Sequence, residues 1–246
     1  MFFFQKVIGF FTYFSRFLWY LIVSRHWKGH GIHSPFVYNF YLSVLSTEIP
    51  NHDKEPIKKY INVCRTNETI LKCPTYGAGS KFHFNNSQRV RDVARKSSLK
   101  FRYGRVLYNL CRFLQPETIL ELGTGIGIST FFLAKGGRQA SLYTIEGCDS
   151  KVNFAWKLFQ ENEIENTQFI TGRFKDQLSR LLRDIKKVDL VFIDGDHQYD
   201  QTIAYFNELL PYSHNDTVIV MDDIHWSSGM EAAWKKMKCR TKKLGG

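Results

Sequence analysis

The stretch VDLVFIDGDHQYD, residues 188–200, ends an apolar run with Asp194, Asp196, His197 and Asp200 inside seven residues. Three carboxylates this close repel one another and are tolerable only in water or around something positive. A second acidic tip, Asp222-Asp223, closes the apolar run TVIVMDD. A third feature, ELGTGIGIS at 121–129, sets Glu121 and the glycines Gly123, Gly125 and Gly127 just after another short apolar run. Glycines let a backbone turn tightly and approach a ligand where a Cβ would collide. Glu146 ends the next apolar run, twenty-five positions after Glu121, where an acid can hold the two hydroxyls of a ribose. These residues suit binding of a nucleoside that carries positive charge. Asp200 reads as a helix-start acid.

The elements that must position them follow from the periodicity. From about residue 103 a helix with Val106, Leu107, Leu110, Cys111 and Leu114 on one face stops at Pro116. Five short apolar runs then alternate with helical stretches: TILEL, SLYTIE, TQFITG, VDLVFID and TVIVMDD. That rhythm predicts an α/β fold of the Rossmann-like, doubly wound type, with a mainly parallel sheet over residues 103–246. Residues 1–102 are expected to form an N-terminal helical extension and loop region. Ligands of such a sheet collect at the carboxyl ends of its strands, where all the acids above sit.

At 246 residues with 43% apolar content, the chain is long and apolar enough for one sizeable core. Five cysteines form no C-x-x-C pair, which predicts five ordinary thiols, no structural zinc and a reducing, cytoplasmic setting. The net charge of +11 is concentrated in Arg89–Arg105 and in Lys235–Lys243. Neither block carries a nucleic-acid motif, so solvated helix faces are expected and nucleic acid is not.

Lys6 and Arg16 interrupt the apolar N-terminus, so no stretch reaches the ~18 uncharged residues a membrane span needs. Residues 1–24 instead read as a helix that packs on the domain or a twin subunit, or lies peripherally on a membrane surface. Within 72–81, Gly77-Ala78-Gly79 and Ser80 form either a surface turn or a loop that approaches a ligand.

Two cofactor classes share the glycine-turn geometry. A dinucleotide prefers G-x-G-x-x-G and presses a diphosphate on the helix N-terminus. Here the third glycine comes one residue early, and Glu121 would oppose a diphosphate. S-adenosyl-L-methionine carries an ammonium and a sulfonium, so the acid favours the methyl donor.

ILELGTGIGIST, IEGCDS, FIDGDHQYD and VIVMDDIHW, in this order and spacing, resemble class I S-adenosylmethionine-dependent methyltransferases, and most of all the methyltransferase domain 24 group. HGIHSPFVYNFY and YGAGS resemble the N-terminal part of an uncharacterised bacterial subgroup of it. The resemblance implies O-methylation of a hydroxyl on a small or lipid-like acceptor. It also implies a cofactor set of Glu121, Gly123, Thr124, Gly125, Gly127, Ser129, Glu146, Gly147 and Asp194. In relatives of the catechol type, an Asp after strand four and an Asp-Asn pair after strand five bind Mg2+. Here that set would be Asp194, Asp222 and Asp223, with an acid in place of the amide. His197 falls where those enzymes carry a lysine base, which makes His197 and Asp194 the candidate catalytic pair. The rival for the D-G-D-H turn is structural, with Asp196 or His197 capping the next helix.

After Asp222 a turn, the helix GMEAAWKKMK and CRTKKLGG leave no residues for the antiparallel strand pair that closes this fold. The fifth strand is therefore expected at an open edge that could pair in a homodimer. Two rivals follow: a truncated protein that binds S-adenosylmethionine or a partner without turnover, and an RNA methyltransferase. Against the second, no aromatic N/D-P-P-F/Y turn follows strand four.

Overall fold

A computed structural model describes residues 34–73, 87–96 and 98–244, the last five of them as backbone. The predicted N-terminal helix at 1–24 and the Gly77-Ala78-Gly79 loop lie outside the described residues. The chain divides into two compact units, Met1–Thr47 and Glu48–Gly246. In the first, α1 (Pro35–Phe40) runs into a π-helical turn, Tyr41–Ser46. Ser34 caps α1 through its side chain, and Pro35 supplies the preset φ that suits a first helical position. Among the described residues no helix is long and apolar enough to cross a membrane.

The second unit carries the predicted sheet. It opens with α2 (Asn51–Thr66), the hairpin of β1 (Ile70–Lys72) and β2 (Ser87–Arg89), α3 (Val90–Lys96) and α4 (Phe101–Leu114). Strands and helices then alternate: β3 (Thr118–Leu122), α5 (Ile128–Gly136), β4 (Ser141–Glu146), α6 (Asp149–Glu161), β5 (Thr167–Thr171) and α7 (Phe174–Ile185). They continue with β6 (Leu190–Ile193), α8 (Tyr199–Leu209), β7 (Val218–Met221) and α9 (Ser228–Leu244). The five strands are parallel in the order β5-β4-β3-β6-β7. α4 stops at Leu114, two residues before Pro116, and Gln115 turns left-handed to end it. β7 lies at the edge, and among the described residues no strand follows it.

Side chains alternate across the sheet. On one face Leu120, Leu122, Ile145, Val191 and Ile193 pack with Leu178, Leu181 and Leu182 of α7 and with Tyr205 and Leu209 of α8. Glu121 and Thr144 point the other way, toward α5. Phe131 on α5 stacks on Tyr60 of α2 at 4.3 Å between ring centroids and meets Phe159 of α6 edge-on at 5.5 Å. Helix α2, which sequence reading placed in the N-terminal extension, thus lies in the same unit as the sheet.

The fit around Tyr60 is close. Its hydroxyl donates to the Ile126 carbonyl at 2.9 Å, inside the glycine turn. A Cβ on Gly127, whose φ is +83°, would stand 2.5 Å from that hydroxyl. Burial, with smaller contributions from Cys64 and Glu121, pushes the Tyr60 pKa well up and keeps it a donor.

The basic block at 89–105 is neutralised in part by acids distant in sequence. Glu68 pairs with Arg89 and Arg91, and Glu48 pairs with Arg105. Exposed pairs of this kind contribute little stability.

Tyr60→Phe strips the Ile126 carbonyl of its donor in a buried setting. It should lower unfolding free energy by about 1–3 kcal/mol, read as a fall in the urea midpoint with unchanged m-value. An unchanged midpoint would show that the tyrosine does not hold the turn.

Candidate active site

β3, β4 and β6 end side by side, and each delivers an acid to the same place. Glu121 pairs in register with Thr144 on β4 and Phe192 on β6. The Asp194 N–H continues the β6 ladder onto the Leu122 carbonyl at 2.8 Å, and the Asp222 N–H bonds Ile193 O at 2.9 Å. The pKa of Asp194 is driven well above the carboxylate range by burial first, then by Asp222, Glu121, Asp223 and Glu146. Acids from four strand tips therefore act on one another across one site.

Glu121 is fully buried. Its Oε2 accepts hydrogen bonds from Thr130 and Thr144, both at 2.6 Å, while Oε1 has no partner. Burial pushes its pKa up to about 7; the hydroxyls of Ser129, Thr130 and Thr144 pull it down, and Glu146 pushes it up. Thr124 turns its hydroxyl onto Thr144 at 2.6 Å, and Ser129 is buried beside Glu121. These two hydroxyls, singled out from sequence as cofactor contacts, thus serve the network that holds Glu121.

The three glycines of the turn divide by task. At Gly123, φ +110°, a Cβ would come within 1.9 Å of the Asp194 carbonyl oxygen, so the turn passes directly against the β6 tip. Gly127 makes room for Tyr60. Gly125, φ +54°, faces open space, with nothing within 4 Å of a Cβ built there. Its N–H donates to Glu146 Oε2 at 2.9 Å, and the Cys148 N–H donates to Glu146 Oε1 at 3.0 Å. Gly147, half-buried, lies between these anchored residues.

At the β6 and β7 tips, Asp196, His197 and Asp223 have φ of +67°, +36° and +51°. The other non-glycine residues with positive φ among those described lie at helix ends, at Gln115, Glu163 and Lys186. Three such conformations on two adjacent tips mark a strained segment of the kind that collects at functional sites. His197 Nε2 stands 3.9 Å from Asp194 Oδ1 and 3.7 Å from Asp223 Oδ2, with its ring 6.0 Å from Trp226. Asp223 is raised by burial, lowered by His197 and raised again by Asp222.

Neither Asp196 nor His197 caps the next helix. Gln198 is the N-cap of α8 and makes no side-chain bond, while Asp196 accepts from Tyr205 Oη at 2.5 Å. Asp200 lies in the first turn of α8, as read from sequence. Asp222 Oδ1 accepts the Asp223 N–H at 2.8 Å. Among the described residues, no three His, Cys, Asp or Glu side chains gather as a ligand set for a metal ion.

The expectation of five free thiols is corrected. Cys73, just after β1, and Cys148, just after β4, form a disulfide with Cα atoms 5.1 Å apart across a sequence separation of 75. Cys64 and Cys111 are buried and free, and Cys239 is exposed and free. Counting local spacings cannot reveal a bond made by tertiary adjacency, and the reducing compartment inferred from that count loses its support.

Sequence reasoning missed Thr144 and Tyr60. Thr144 had a legible signal, since it lies two positions before Glu146 on the face shared with Glu121. Tyr60 had none, because its role depends on how α2 meets the turn.

Residues 120–224 match the family described as a methyltransferase domain. Over 131 residues the chain is 30% identical to the catechol O-methyltransferase of Mycobacterium tuberculosis, which covers 52% of this chain and 58% of that one. Over 124 residues it is 31% identical to the catechol O-methyltransferase of Niastella koreensis, with 49% and 55% covered. The chain spans about half the length of the relatives it matches. Among solved structures, an O-methyltransferase from Bacillus cereus in complex with SAH superposes with a TM-score of 0.54 at 20% identity, over 78% of this chain and 81% of that one. An SAH-bound methyltransferase from Podospora anserina gives 0.57 at 17% identity, over 85% of both chains. At these identities the two structures share the fold.

Glu121 generates a pH signature. Its folded pKa of about 7 lies above the ordinary 4.5, so its contribution to stability is fully present below pH 4.5 and is lost as pH rises through 7. Asp194, Asp223 and Glu208 are raised too and act with the same sign. Glu121→Gln should therefore shrink, without abolishing, the fall in stability between pH 4.5 and 8, by on the order of 3 kcal/mol. Urea unfolding at the two pH values checks this; parallel profiles for the two proteins would refute a buried, titrating acid.

Proposed function

We propose that residues 120–224, which match a methyltransferase domain, form a class I S-adenosylmethionine-dependent methyltransferase, and that the protein transfers the methyl group of S-adenosylmethionine to a hydroxyl of a small or lipid-like acceptor. The observation that carries the proposal is the convergence of Glu121, Glu146, Asp194, Asp222 and Asp223 beside the open space over Gly125. Crowded like charges, one of them fully buried, favour a cationic ligand, and the methyl donor is one.

In this reading Glu146 holds the ribose hydroxyls. Two backbone N–H groups already aim its carboxylate, and its remaining lone pairs are available to accept. Gly123, Gly125 and Gly147 bring backbone close to the nucleoside. Asp194 meets the positive charge of the methionine portion, and Glu121 adds its field from beneath, held by Ser129, Thr130 and Thr144. Thr124 and Gly127 keep the shape of the turn.

His197 takes the acceptor's hydroxyl proton on its ring nitrogen, with Asp194 and Asp223 on either side to stabilise the imidazolium. The acceptor oxygen then attacks the methyl carbon as the C–S bond breaks. The electron pair stays on sulfur, leaving the neutral thioether of S-adenosylhomocysteine. Holding donor and acceptor in line supplies much of the rate, worth about 7–11 kcal/mol of barrier in well-oriented systems.

Magnesium has narrower support. The Asp194, Asp222 and Asp223 carboxylates are hard oxygen donors that crowd one another, which a divalent ion would relieve. As placed, however, they do not gather as a ligand set, Asp222 turns to its own loop, and His197 stands between the other two. The residues do not fit the ion, and no step is routed through it.

A second reading is a protein that binds the nucleoside at the same acids without turnover. Incubation with labelled methyl donor and a panel of hydroxyl acceptors separates the two.

Wild-type protein should label a hydroxyl acceptor and keep that activity in excess chelator. Asp194→Asn should remove turnover with an unchanged gel-filtration profile. His197→Ala should lower kcat by about 10²–10⁴-fold while S-adenosylhomocysteine affinity is retained. Binding without transfer across the panel would leave the second reading, and a wild-type rate in His197→Ala would dismiss the base.

A further inference from the structure

The Cys73–Cys148 disulfide joins the β1–β2 hairpin to the turn that carries Glu146. Cys148 fixes that carboxylate through its backbone N–H on Oε1, while Gly125 fixes the other oxygen. Ser150, two residues on, donates through Oγ to the Lys72 carbonyl at 3.0 Å, a second tie between the same two segments. The hairpin end that Cys73 occupies is held by three paired residues, Ile70–Lys72 with Ser87–Arg89. The covalent bond is thus the strongest link between this short hairpin and the position of the Cys148 peptide.

The two residues differ in exposure. Cys148 is buried and Cys73 is half-buried, which makes Cys73 the more accessible half of the bond. The other thiols lie elsewhere in the fold: Cys64 on α2, Cys111 on α4 and Cys239 on α9.

We propose that the Cys73–Cys148 bond is a redox latch on the nucleoside site. It rests on the methyl-donor reading and adds a means of regulation to it. In the oxidised protein the Cys148 peptide is held in place and Glu146 is pre-aimed at the ribose, which reduces the ordering cost of binding. Reduction releases the turn and weakens binding. The reductant is a dithiol. One of its thiolates attacks Cys73 Sγ, the Cys73–Cys148 bond breaks, and Cys148 leaves as a thiolate that takes up a proton. The second thiol then attacks the mixed disulfide and releases Cys73. In sum, two electrons and two protons pass from the dithiol, which becomes a disulfide, to the protein.

The test uses the full chain. Alkylation of denatured, unreduced protein followed by mass spectrometry should label three of the five cysteines, and all five after dithiothreitol. Calorimetry with S-adenosylhomocysteine should give a Kd about tenfold weaker after reduction, within the usual range of coupling between sites. Cys73→Ser, which leaves Cys148 in place, should bind as the reduced protein does and ignore dithiothreitol. By linkage, saturating nucleoside should lower the disulfide's midpoint potential by about 30 mV for that tenfold difference.

Five labelled thiols without reduction, or equal Kd values in the two states, overturn the latch. If neither state binds the nucleoside, the methyl-donor reading fails, and amide hydrogen exchange decides the latch alone. Faster exchange at 123–127 and 146–150 on reduction sustains it, and unchanged exchange there overturns it.

Discussion

The constraint on which the rest of this structure depends is the crowding of acids, one of them fully buried, at the ends of adjacent parallel strands. Glu121 lies wholly out of water, and Asp194 feels Glu121, Glu146, Asp222 and Asp223 at once. Such a grouping is unfavourable, because the buried carboxylate loses hydration and each of them gains like-charged neighbours. The fold offsets part of this locally. Three hydroxyls surround Glu121, two backbone N–H groups hold Glu146, and His197 stands beside Asp194 and Asp223. What remains unneutralised is the attraction for a cation, and the Glu121 oxygen left without a partner shows where the offset stops.

The support for these acids reaches well beyond the strands that carry them. Thr144 serves both Glu121 and Thr124, so one residue on β4 ties the strand end to the turn above it. Tyr60 grips the turn from α2 through Ile126, and Gly127 is the residue that allows it to come so near. On the amino side of the sheet, Asp53 is buried and accepts from Tyr108 and Arg138, which fastens α2 to α4 and to the end of α5. A site made of repelling groups calls for this kind of rigid surround.

Much of this was legible in the residues themselves. The alternation of TILEL, SLYTIE, TQFITG, VDLVFID and TVIVMDD with helical stretches announces a parallel sheet, and the acids at the run ends announce which strand tips crowd together. Pro116 marks the end of α4 because proline constrains the backbone before it. What stayed hidden is tertiary. The sequence could not separate Gly125, which opens to space, from Gly123 and Gly127, which admit Asp194 and Tyr60. Nor could it show that Thr124 and Ser129 face inward, or that Cys73 meets Cys148. Each of these depends on which neighbour packs against a residue, and local spacing carries no record of that.

The contact between Tyr60 and the glycine turn bears on modularity. A boundary drawn at residue 103, where the strand–helix rhythm begins, would cut away the ring that fills the gap left by Gly127 and would uncover Phe131. The smallest self-sufficient packing unit is therefore longer than its repeating pattern. Residues 48–66 and the sheet belong to one such unit, because the backbone of the glycine turn is shaped by a side chain of α2.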